Sequence, residues 1–307
     1  MRTMIFTLHY LNSTLNNRYG DSDVLNDKIE IKMQISESWI DLNTINAKLY
    51  VKVWQPERLK SDIPIILLHD SLGSVQLWRD FPEELAKVTE QKVIAYDRLG
   101  FGLSSIHTNT LAVDFVSTEA TEAFAEILQQ LNIQNFMIMG HSVGGGMASC
   151  CAAYYQERCK ALITMSAQSM VEELTLSGIR EAKEIFKQDG QLDRLKKYHG
   201  EKAQWVLDAW TETWLSEAFK HWTLDEYLQK IQCPMLVIHG ELDEYGSLNQ
   251  PQQYIKSSPA PSQLYIMRNT HHIPHKEKPE EVLAVVTQFL EKLTDFTQLN
   301  HTANEQV

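Results

Sequence analysis

Hydrophobic residues along the chain form short apolar runs of strand length, and these alternate with segments of helical periodicity. The runs are Ile63–His69, Lys92–Tyr96, Asn135–Met139, Ala161–Met165, Met235–His239 and Gln263–Met267. Nearly continuous apolar runs of this kind are typical of parallel strands that are covered on both faces. Between them, apolar residues recur at the i, i+3, i+4, i+7 spacing of a helix, as in Phe124, Ile127, Leu128 and Leu131. A helix is also predicted after the first of these strands, containing Trp78, Phe81, Leu85 and Val88. The pattern predicts a doubly wound, mostly parallel α/β sheet.

The two ends of the chain differ from this alternation. From Ile29 to Trp54 apolar and polar residues alternate, which predicts an antiparallel hairpin at a sheet edge. Residues 11–28 are rich in Asn, Asp and Ser without an apolar face, so we expect residues 1–28 to form a loose extension. A closing helix is predicted from about Pro279 to Leu293, followed by a tail at residues 294–307.

One long segment lacks any strand pattern. Between Ser166 and Ile231 the chain is helical throughout, which predicts an α-helical cap (residues 168–231) inserted into a core domain formed by residues 29–167 and 232–293. The segment holds four of the seven tryptophans of the chain, namely Trp205, Trp210, Trp214 and Trp222. Trp210 and Trp214 lie one helical turn apart on one face. Such rings either pack the cap onto the core or line an apolar substrate pocket, and the two roles are compatible.

The most informative stretch of the sequence is Gly140-His141-Ser142-Val143-Gly144. It follows a predicted strand and opens a predicted helix, which is the setting of a nucleophile elbow. The serine of such an elbow takes a strained backbone conformation where strand and helix nearly touch, so the residues two before and two after it must lack a Cβ. Gly140 and Gly144 occupy those two positions, which makes Ser142 the candidate nucleophile.

A serine hydroxyl needs a base to remove its proton and a carboxylate to orient that base. In a parallel α/β sheet these groups follow later strands, in the order serine, acid, histidine. Gly240-Glu241-Leu242-Asp243-Glu244 follows one predicted strand, and Asn269-Thr270-His271-His272-Ile273-Pro274-His275 follows the last one. On position alone, Glu241, Asp243 and Glu244 remain candidates for the acid, and His271, His272 and His275 remain candidates for the base.

Composition excludes several classes of protein. The chain has 307 residues and a formal net charge of −12, which argues against a nucleic-acid partner. No apolar run approaches the roughly 18 residues of a membrane span, and the N-terminus lacks the pattern of a signal peptide. The four cysteines show no metal-binding spacing. We therefore expect buried thiols in a protein of the reducing cytoplasm, without a metal and without a membrane partner.

The motifs together resemble the α/β-hydrolase fold family, from about Ile29 to Leu293. The stretches that carry the resemblance are His69–Ser74, Asp97–Ser104, Gly140–Gly144, Gly240–Asp243 and His272–His275. The resemblance implies that Asp243 is the acid and His272 the base. It also implies an oxyanion hole formed by the backbone N–H groups of Val143 and Ser71, next to the positive end of the helix that begins at Val143. No cofactor is implied.

The chain departs from the family pattern at one position near this hole. Asp70 stands where the family usually has glycine, and a carboxylate aimed at the oxyanion would oppose the charge that develops there. We therefore expect the side chain of Asp70 to turn out of the pocket. Asp97 and Arg98 are interpreted as residues that hold a loop. His141 is predicted to pack beneath the elbow, and His239 to be a strand residue.

The resulting expectation is a serine hydrolase that cleaves a carboxylic ester or lactone through an acyl-enzyme. Its substrate is a small molecule with an apolar acyl or alcohol group, and acyl-homoserine lactones are one class to consider. Related enzymes cleave C–C or amide bonds with the same three residues, so these reactions remain alternatives. A ligand receptor of the same fold with slow turnover or none is the alternative from another functional class.

Overall fold

The computed structural model describes the backbone from residue 32 to residue 304 and the side chains from residue 32 to residue 293. The predicted extension, residues 1–28, lies outside the described residues. Across the described part, no helix combines the length and the apolar character needed to cross a bilayer.

Eight strands form one sheet in the part of the chain that the structure describes, in the spatial order β1-β2-β4-β3-β5-β6-β7-β8. The strands are β1 (Met33–Leu42), β2 (Ala47–Pro56), β3 (Ile65–Leu68), β4 (Val93–Tyr96), β5 (Phe136–His141), β6 (Cys159–Met165), β7 (Met235–Gly240) and β8 (Ser262–Met267). β2 pairs antiparallel with β1 and with β4, and the remaining pairs are parallel. The predicted edge hairpin and the mostly parallel sheet are confirmed.

The central strands are buried on both faces, which explains why their sequences are apolar without alternation. In β3 all four residues are buried, yet successive side chains enter different cores. Ile66 and Leu68 pack on the face covered by α3 and α4, whereas Ile65 and Leu67 pack on the face covered by α1 and α11. Because both faces are buried, the strands of a parallel sheet have continuous apolar sequences.

The helices are α1 (Phe81–Thr89), α2 (Phe115–Thr118), α3 (Ala123–Gln130), α4 (Val143–Tyr154), α5 (Glu173–Phe186), α6 (Gln191–His199), α7 (Ala203–Trp214), α8 (Asp225–Leu228), α9 (Asn249–Ser257), α10 (Pro274–Glu277) and α11 (Pro279–Asn304). Their order after the strands confirms the alternating α/β arrangement. The carboxyl ends of β3 to β8 therefore meet at one edge of the sheet, where ligands of such sheets bind.

Three helix predictions need correction. Trp78 does not belong to α1 but to a separate 3₁₀ turn, because Arg79 has φ 54° and interrupts the helical path, and Val88 of α1 is exposed. The helix expected around Phe124 is only eight residues long and ends before Leu131. Conversely, α11 continues through Asn304 rather than ending at Leu293. Residues 294–304 contain neither glycine nor proline, so nothing in them stops a helix.

Residues 168–231, called the helical insertion below, separate β6 from β7 and contain α5 to α8. His199 at the end of α6 is buried between two loops of the sheet edge. Its Nε2 donates to the Leu72 carbonyl at 3.0 Å, and its Nδ1 accepts from the Gly102 N–H at 2.9 Å. Burial lowers the pKa of His199 to about 4, so the ring is neutral and keeps this donor–acceptor arrangement. The insertion is thereby joined to the loops that follow β3 and β4.

All four cysteines are free and buried, as predicted. Cys150 and Cys151 lie in α4 beneath the elbow. Cys159 and Cys233 face each other across neighbouring strand starts, with their sulfurs 3.6 Å apart. These thiols thus belong to the apolar core.

Candidate active site

The strand–turn–helix around Ser142 has the geometry of a nucleophile elbow. Ser142 has φ 54° and ψ −128°, a conformation that a non-glycine residue rarely adopts. A Cβ on Gly140 would lie 2.1 Å from the Gly144 carbonyl oxygen, and one on Gly144 would lie 2.3 Å from the Leu68 carbonyl oxygen. The two glycines are therefore required by the close approach of strand and helix, as the sequence predicted.

Ser142, His272 and Asp243 come together although up to 130 residues separate them. The Ser142 hydroxyl oxygen lies 3.0 Å from His272 Nε2, and His272 Nδ1 lies 2.8 and 2.9 Å from the two carboxylate oxygens of Asp243. All three residues are buried. The distances allow proton transfer from the hydroxyl to a histidine whose other nitrogen is held by the carboxylate.

The electrostatics of this trio favour an ionised acid beside a basic histidine. Burial acts to raise the pKa of Asp243, but the charge and hydrogen bond of His272 outweigh it and the pKa is lowered. Burial likewise acts to lower the pKa of His272, yet Asp243 outweighs it and the pKa is raised above the usual value. Asp243 is held further by the N–H groups of Tyr245 and Gly246, at 2.8 and 3.1 Å. The carboxylate is thus oriented before any substrate binds.

The other candidate acids have different contacts. A carboxylate oxygen of Glu241 accepts the Asn269 N–H at 3.0 Å and lies at the surface. Glu244 accepts the backbone N–H of His272 at 3.2 Å, so it holds the histidine loop rather than the imidazole. Neither of these carboxylates orients a ring nitrogen of His272.

The other candidate histidines also point elsewhere. The His271 side chain is exposed, and its Nδ1 lies 3.1 Å from a carboxylate oxygen of Glu277. His275 is buried against Trp78, with the ring centroids 4.7 Å apart. Neither histidine takes the position between serine and carboxylate that His272 takes.

Comparison with known proteins agrees with the fold. The family model described as alpha/beta hydrolase fold matches residues 63–192. A proline iminopeptidase of Heyndrickxia coagulans is 25% identical over 274 residues, covering 75% of this chain and 91% of that protein. The human serine hydrolase BPHL is 24% identical over 76% of this chain and 80% of its own length. The crystal structure of a membrane phospholipase A superposes with a TM-score of 0.68 at 20% identity, covering 85% and 87% of the two chains.

The chain has the α/β-hydrolase fold. The two relatives named above are hydrolases, and the comparisons support a hydrolase activity for this chain. The fold is shared over 85% of the chain. Among its described residues, no three His, Cys, Asp or Glu side chains are grouped as metal ligands.

The loop after β3 of the hydrolase contains the unusual Asp70. One carboxylate oxygen of Asp70 accepts the Leu72 N–H at 2.9 Å, and the other lies 3.3 Å from His141 Nδ1. Both oxygens are thus occupied within the protein, in agreement with the expectation that the carboxylate turns out of the pocket. Ser71 lies between Asp70 and Leu72, which are joined by this hydrogen bond. The role of Ser71 as an oxyanion donor stays a prediction.

Val143, the second predicted oxyanion donor, is the first residue of α4. The N–H groups in the first turn of a helix have no carbonyl partner within that helix, so they can serve a developing anion. The dipole of the twelve-residue α4 adds a positive potential at the same point. This arrangement supports the prediction for Val143.

The sequence did not predict the contacts that two further residues make with Ser142 and His272. Gln168 follows β6 and is buried, with its side-chain oxygen 3.3 Å from the Ser142 hydroxyl. His141, predicted to be a packing residue, donates from Nε2 to the His272 carbonyl oxygen at 2.7 Å. The position of Gln168, a polar residue just after a strand, is a signal that the sequence contains. The contact of His141 spans 131 residues and has no local signal.

The two tryptophans proposed to line a pocket have different surroundings. Trp210 is half-buried and contacts Tyr245 with ring centroids 5.9 Å apart, and Tyr245 in turn contacts the His272 ring at 4.9 Å. Trp214 is 2% exposed and packs among Phe219 and Trp222 within the core. Trp214 thus packs in the core and Trp210 contacts Tyr245 next to His272, and a pocket role for either ring stays a prediction.

The Asp97–Gly102 turn supports the neighbouring loops of the hydrolase, as interpreted from the sequence. The Asp97 carboxylate accepts the N–H groups of Val75 and Leu103 at 2.6 and 2.7 Å. Arg98 donates from Nη2 to the Asp70 carbonyl at 2.9 Å, and its guanidinium lies 4.1 Å from the centre of the Phe101 ring. These contacts all lie within the protein, so the turn shapes the loop after β3.

Proposed function

We propose that this hydrolase cleaves a carboxylic ester or lactone through an acyl-enzyme formed on Ser142. The observation that carries the proposal is the continuous contact from the Ser142 hydroxyl to His272 Nε2 and from His272 Nδ1 to Asp243. In this assignment Ser142 is the nucleophile, His272 the general base and then acid, and Asp243 the orienting anion.

The first half of the reaction forms the acyl-enzyme. The Ser142 oxygen attacks the carbonyl carbon while its proton passes to His272 Nε2. The carbonyl oxygen takes up the negative charge and is stabilised by the N–H groups of Val143 and Ser71. The C–O bond to the leaving group then breaks, and the leaving alkoxide receives the proton from His272.

The second half returns the enzyme to its starting state. A water molecule gives a proton to His272 Nε2 and attacks the acyl carbon through the same oxyanion intermediate. The bond between the carbon and the Ser142 oxygen breaks, and His272 returns the proton to that oxygen. The products are a carboxylic acid and an alcohol, or a hydroxy acid when the substrate is a lactone.

The surroundings of the trio favour an apolar acyl or alcohol group. Trp210 and Tyr245 lie beside His272, and the helical insertion carries further apolar side chains next to the loops of β3 and β4. Small-molecule sites are commonly apolar with a few polar groups. We therefore propose that the insertion is a cap over the site and that acyl-homoserine lactones are within the substrate class.

Amide hydrolysis is the second candidate, because a relative 25% identical over 91% of its own length is a proline iminopeptidase. The same three residues serve amides and C–C bonds, so the bond type depends on what the pocket binds. A receptor without turnover stays the alternative from another class. The free, buried thiols fit a reducing compartment, and we propose the cytoplasm as the location.

A substrate panel tests the proposal directly. The full chain is assayed with p-nitrophenyl esters, acyl-homoserine lactones and proline p-nitroanilide, with Ser142→Ala as the matched control. We expect multiple turnover of esters or lactones that the Ser142→Ala variant lacks. Faster turnover of the proline anilide would replace the ester assignment by the amide one, and binding without turnover of any compound would favour the receptor.

A further inference from the structure

His141 is placed so that each of its ring nitrogens faces an acceptor. Nε2 lies 2.7 Å from the His272 carbonyl oxygen, and Nδ1 lies 3.3 Å from a carboxylate oxygen of Asp70. His141 is fully buried and Asp70 is 7% exposed, so water does not replace either contact. A carbonyl or a carboxylate oxygen cannot donate a hydrogen, so both contacts are hydrogen bonds only when the imidazole carries a hydrogen on each nitrogen.

A neutral imidazole carries one N–H and therefore satisfies only one of these contacts. Its other nitrogen would direct a lone pair either at the carbonyl oxygen or at the carboxylate, and that repulsion is costly in a buried site. The imidazolium form satisfies both contacts, and Asp70 supplies the opposite charge that a buried cation requires.

The groups around the two residues are compatible with this charge pairing. Burial acts to raise the pKa of Asp70, but the hydrogen bond and charge of His141 and the charge of Lys276 outweigh it and hold the pKa well below its usual range. His69 itself is neutral, because its Nδ1 donates to the Asp70 carbonyl while its Nε2 accepts the Arg98 N–H. Burial also lowers the pKa of His275, whose ring packs against His141 at 4.8 Å. Burial lowers the pKa of Lys276 to about 8.

We propose that Asp70 and His141 form a buried ion pair that holds the backbone carbonyl of His272, which makes Asp70 a positioning residue for the general base. His272 is then anchored at three points: its ring by Asp243, its N–H by Glu244 and its carbonyl by His141. The assignment of His272 as the base rests on the proposed function, whereas the ion pair does not. The ion pair also gives a reason for aspartate at position 70, where the resemblance to α/β hydrolases implies glycine.

The protonation state of His141 is measured first, without reference to activity. Ring-¹⁵N histidine spectra of the full chain are recorded from pH 6 to pH 8, and the His141→Phe spectrum assigns the signal. We expect two protonated ring nitrogens in the wild type, and a single proton on Nε2 in Asp70→Asn, where the amide can donate to Nδ1. A neutral His141 in the wild type would overturn the ion pair even if esterase activity is present.

The pH profile of kcat/KM tests the charge pairing through its effect on His272. If the pair is ionised, its net charge is zero. In Asp70→Asn a neutral amide faces a neutral His141, so the net charge is again zero and the acid limb of the profile should stay at the same pH. If His141 is neutral instead, the same change removes a negative charge, and the limb should move to lower pH by roughly 0.5 to 1. A shift of that size in Asp70→Asn would contradict the proposal.

Glu244→Gln is the matched control for this measurement. It also converts a carboxylate near His272 into an amide, and the charge of Glu244 contributes to the raised pKa of His272. We expect this control to move the acid limb to lower pH, which shows that the assay detects the loss of one unpaired charge.

The positioning role is tested by comparing two variants of Asp70. Asparagine can keep the hydrogen bonds to Leu72 and His141, so Asp70→Asn should change kcat by less than about threefold. Asp70→Gly removes both contacts and frees the His141 ring, and small displacements of a catalytic group reduce rates by up to about 10²-fold. We therefore expect a ten- to hundredfold loss of kcat in Asp70→Gly with KM within about twofold. An unchanged kcat would show that Asp70 does not position the base.

Discussion

The sheet and the helical insertion contribute to the site in different ways. The sheet places Ser142, Asp243 and His272 through the backbone, since each follows the carboxyl end of a parallel strand. The insertion contributes through single side chains, such as His199 between two loops and Trp210 beside Tyr245. The chemistry is therefore expected to depend on the sheet, whereas substrate choice and loop support depend on the insertion.

The largest expected effect lies in the trio on the sheet. Ser142→Ala and His272→Ala should each lower kcat by about four to six orders of magnitude with little change in stability. His271→Ala is the matched control, because this neighbouring histidine is exposed and paired with Glu277. Steady-state kinetics and thermal unfolding of the three variants make the measurement. An equal loss in His271→Ala would show that the base has been assigned wrongly.

The raised pKa of His272 adds a pH dependence to this prediction. Burial opposes the raised pKa, but the charge and hydrogen bond of Asp243 prevail. A general base must be unprotonated, so kcat/KM should rise with pH through a midpoint above histidine's ordinary value of about 6.5. Asp243→Asn should move this midpoint to lower pH. A wild-type midpoint below 6 would contradict the assigned environment.

The next largest effect is expected in the packing of the insertion. Trp214 is 2% exposed among Phe219 and Trp222, so Trp214→Ala should lower the free energy of unfolding by about 3–5 kcal/mol. Denaturant unfolding measures this loss. The preference of the variant among esters of different chain length should remain that of the wild type. A changed preference would support a place for Trp214 in the substrate pocket.

The smallest effect is expected at Trp210, where the insertion meets the site. Each buried methylene contributes about 0.8 kcal/mol, so wild-type kcat/KM should rise roughly three- to fourfold per added CH₂ until the pocket is full. Trp210→Ala removes half-buried surface next to Tyr245 and should reduce that rise to below about twofold per CH₂. Kinetics with acetyl to octanoyl esters provide the test. A flat wild-type profile would argue against an apolar pocket altogether.

Local patterns predicted those parts of the molecule that local backbone geometry determines. The apolar runs located all the central strands, and the glycines around Ser142 predicted the elbow because the close contact involves the turn itself. The order of strands then brought the loops of Asp243 and His272 to the same sheet edge. Choosing Asp243 over Glu244 required the resemblance to a family, since both residues lie on the same short loop.

Tertiary contacts could not be predicted from local sequence patterns. Helical periodicity placed Trp210 and Trp214 on one face of α7, but it carries no information about what that face meets, and one ring reaches Tyr245 while the other enters the core. His141 is the last residue of the buried strand β5, and nothing in the sequence around it indicates its contact with the His272 carbonyl oxygen. Helix ends were misplaced at Arg79 and beyond Leu293, where single dihedral angles or weak propensities decide.

His199 has a consequence for the exchange of insertions between related proteins. Its ring spans the Leu72 carbonyl and the Gly102 N–H, so one side chain of the insertion connects the loops that follow β3 and β4, next to Ser71. A segment grafted between β6 and β7 from another hydrolase would leave those two backbone groups without this partner unless it carried a neutral donor–acceptor ring at the same place. In this chain the insertion is therefore not an interchangeable module, and redesign of its specificity has to begin by keeping α6.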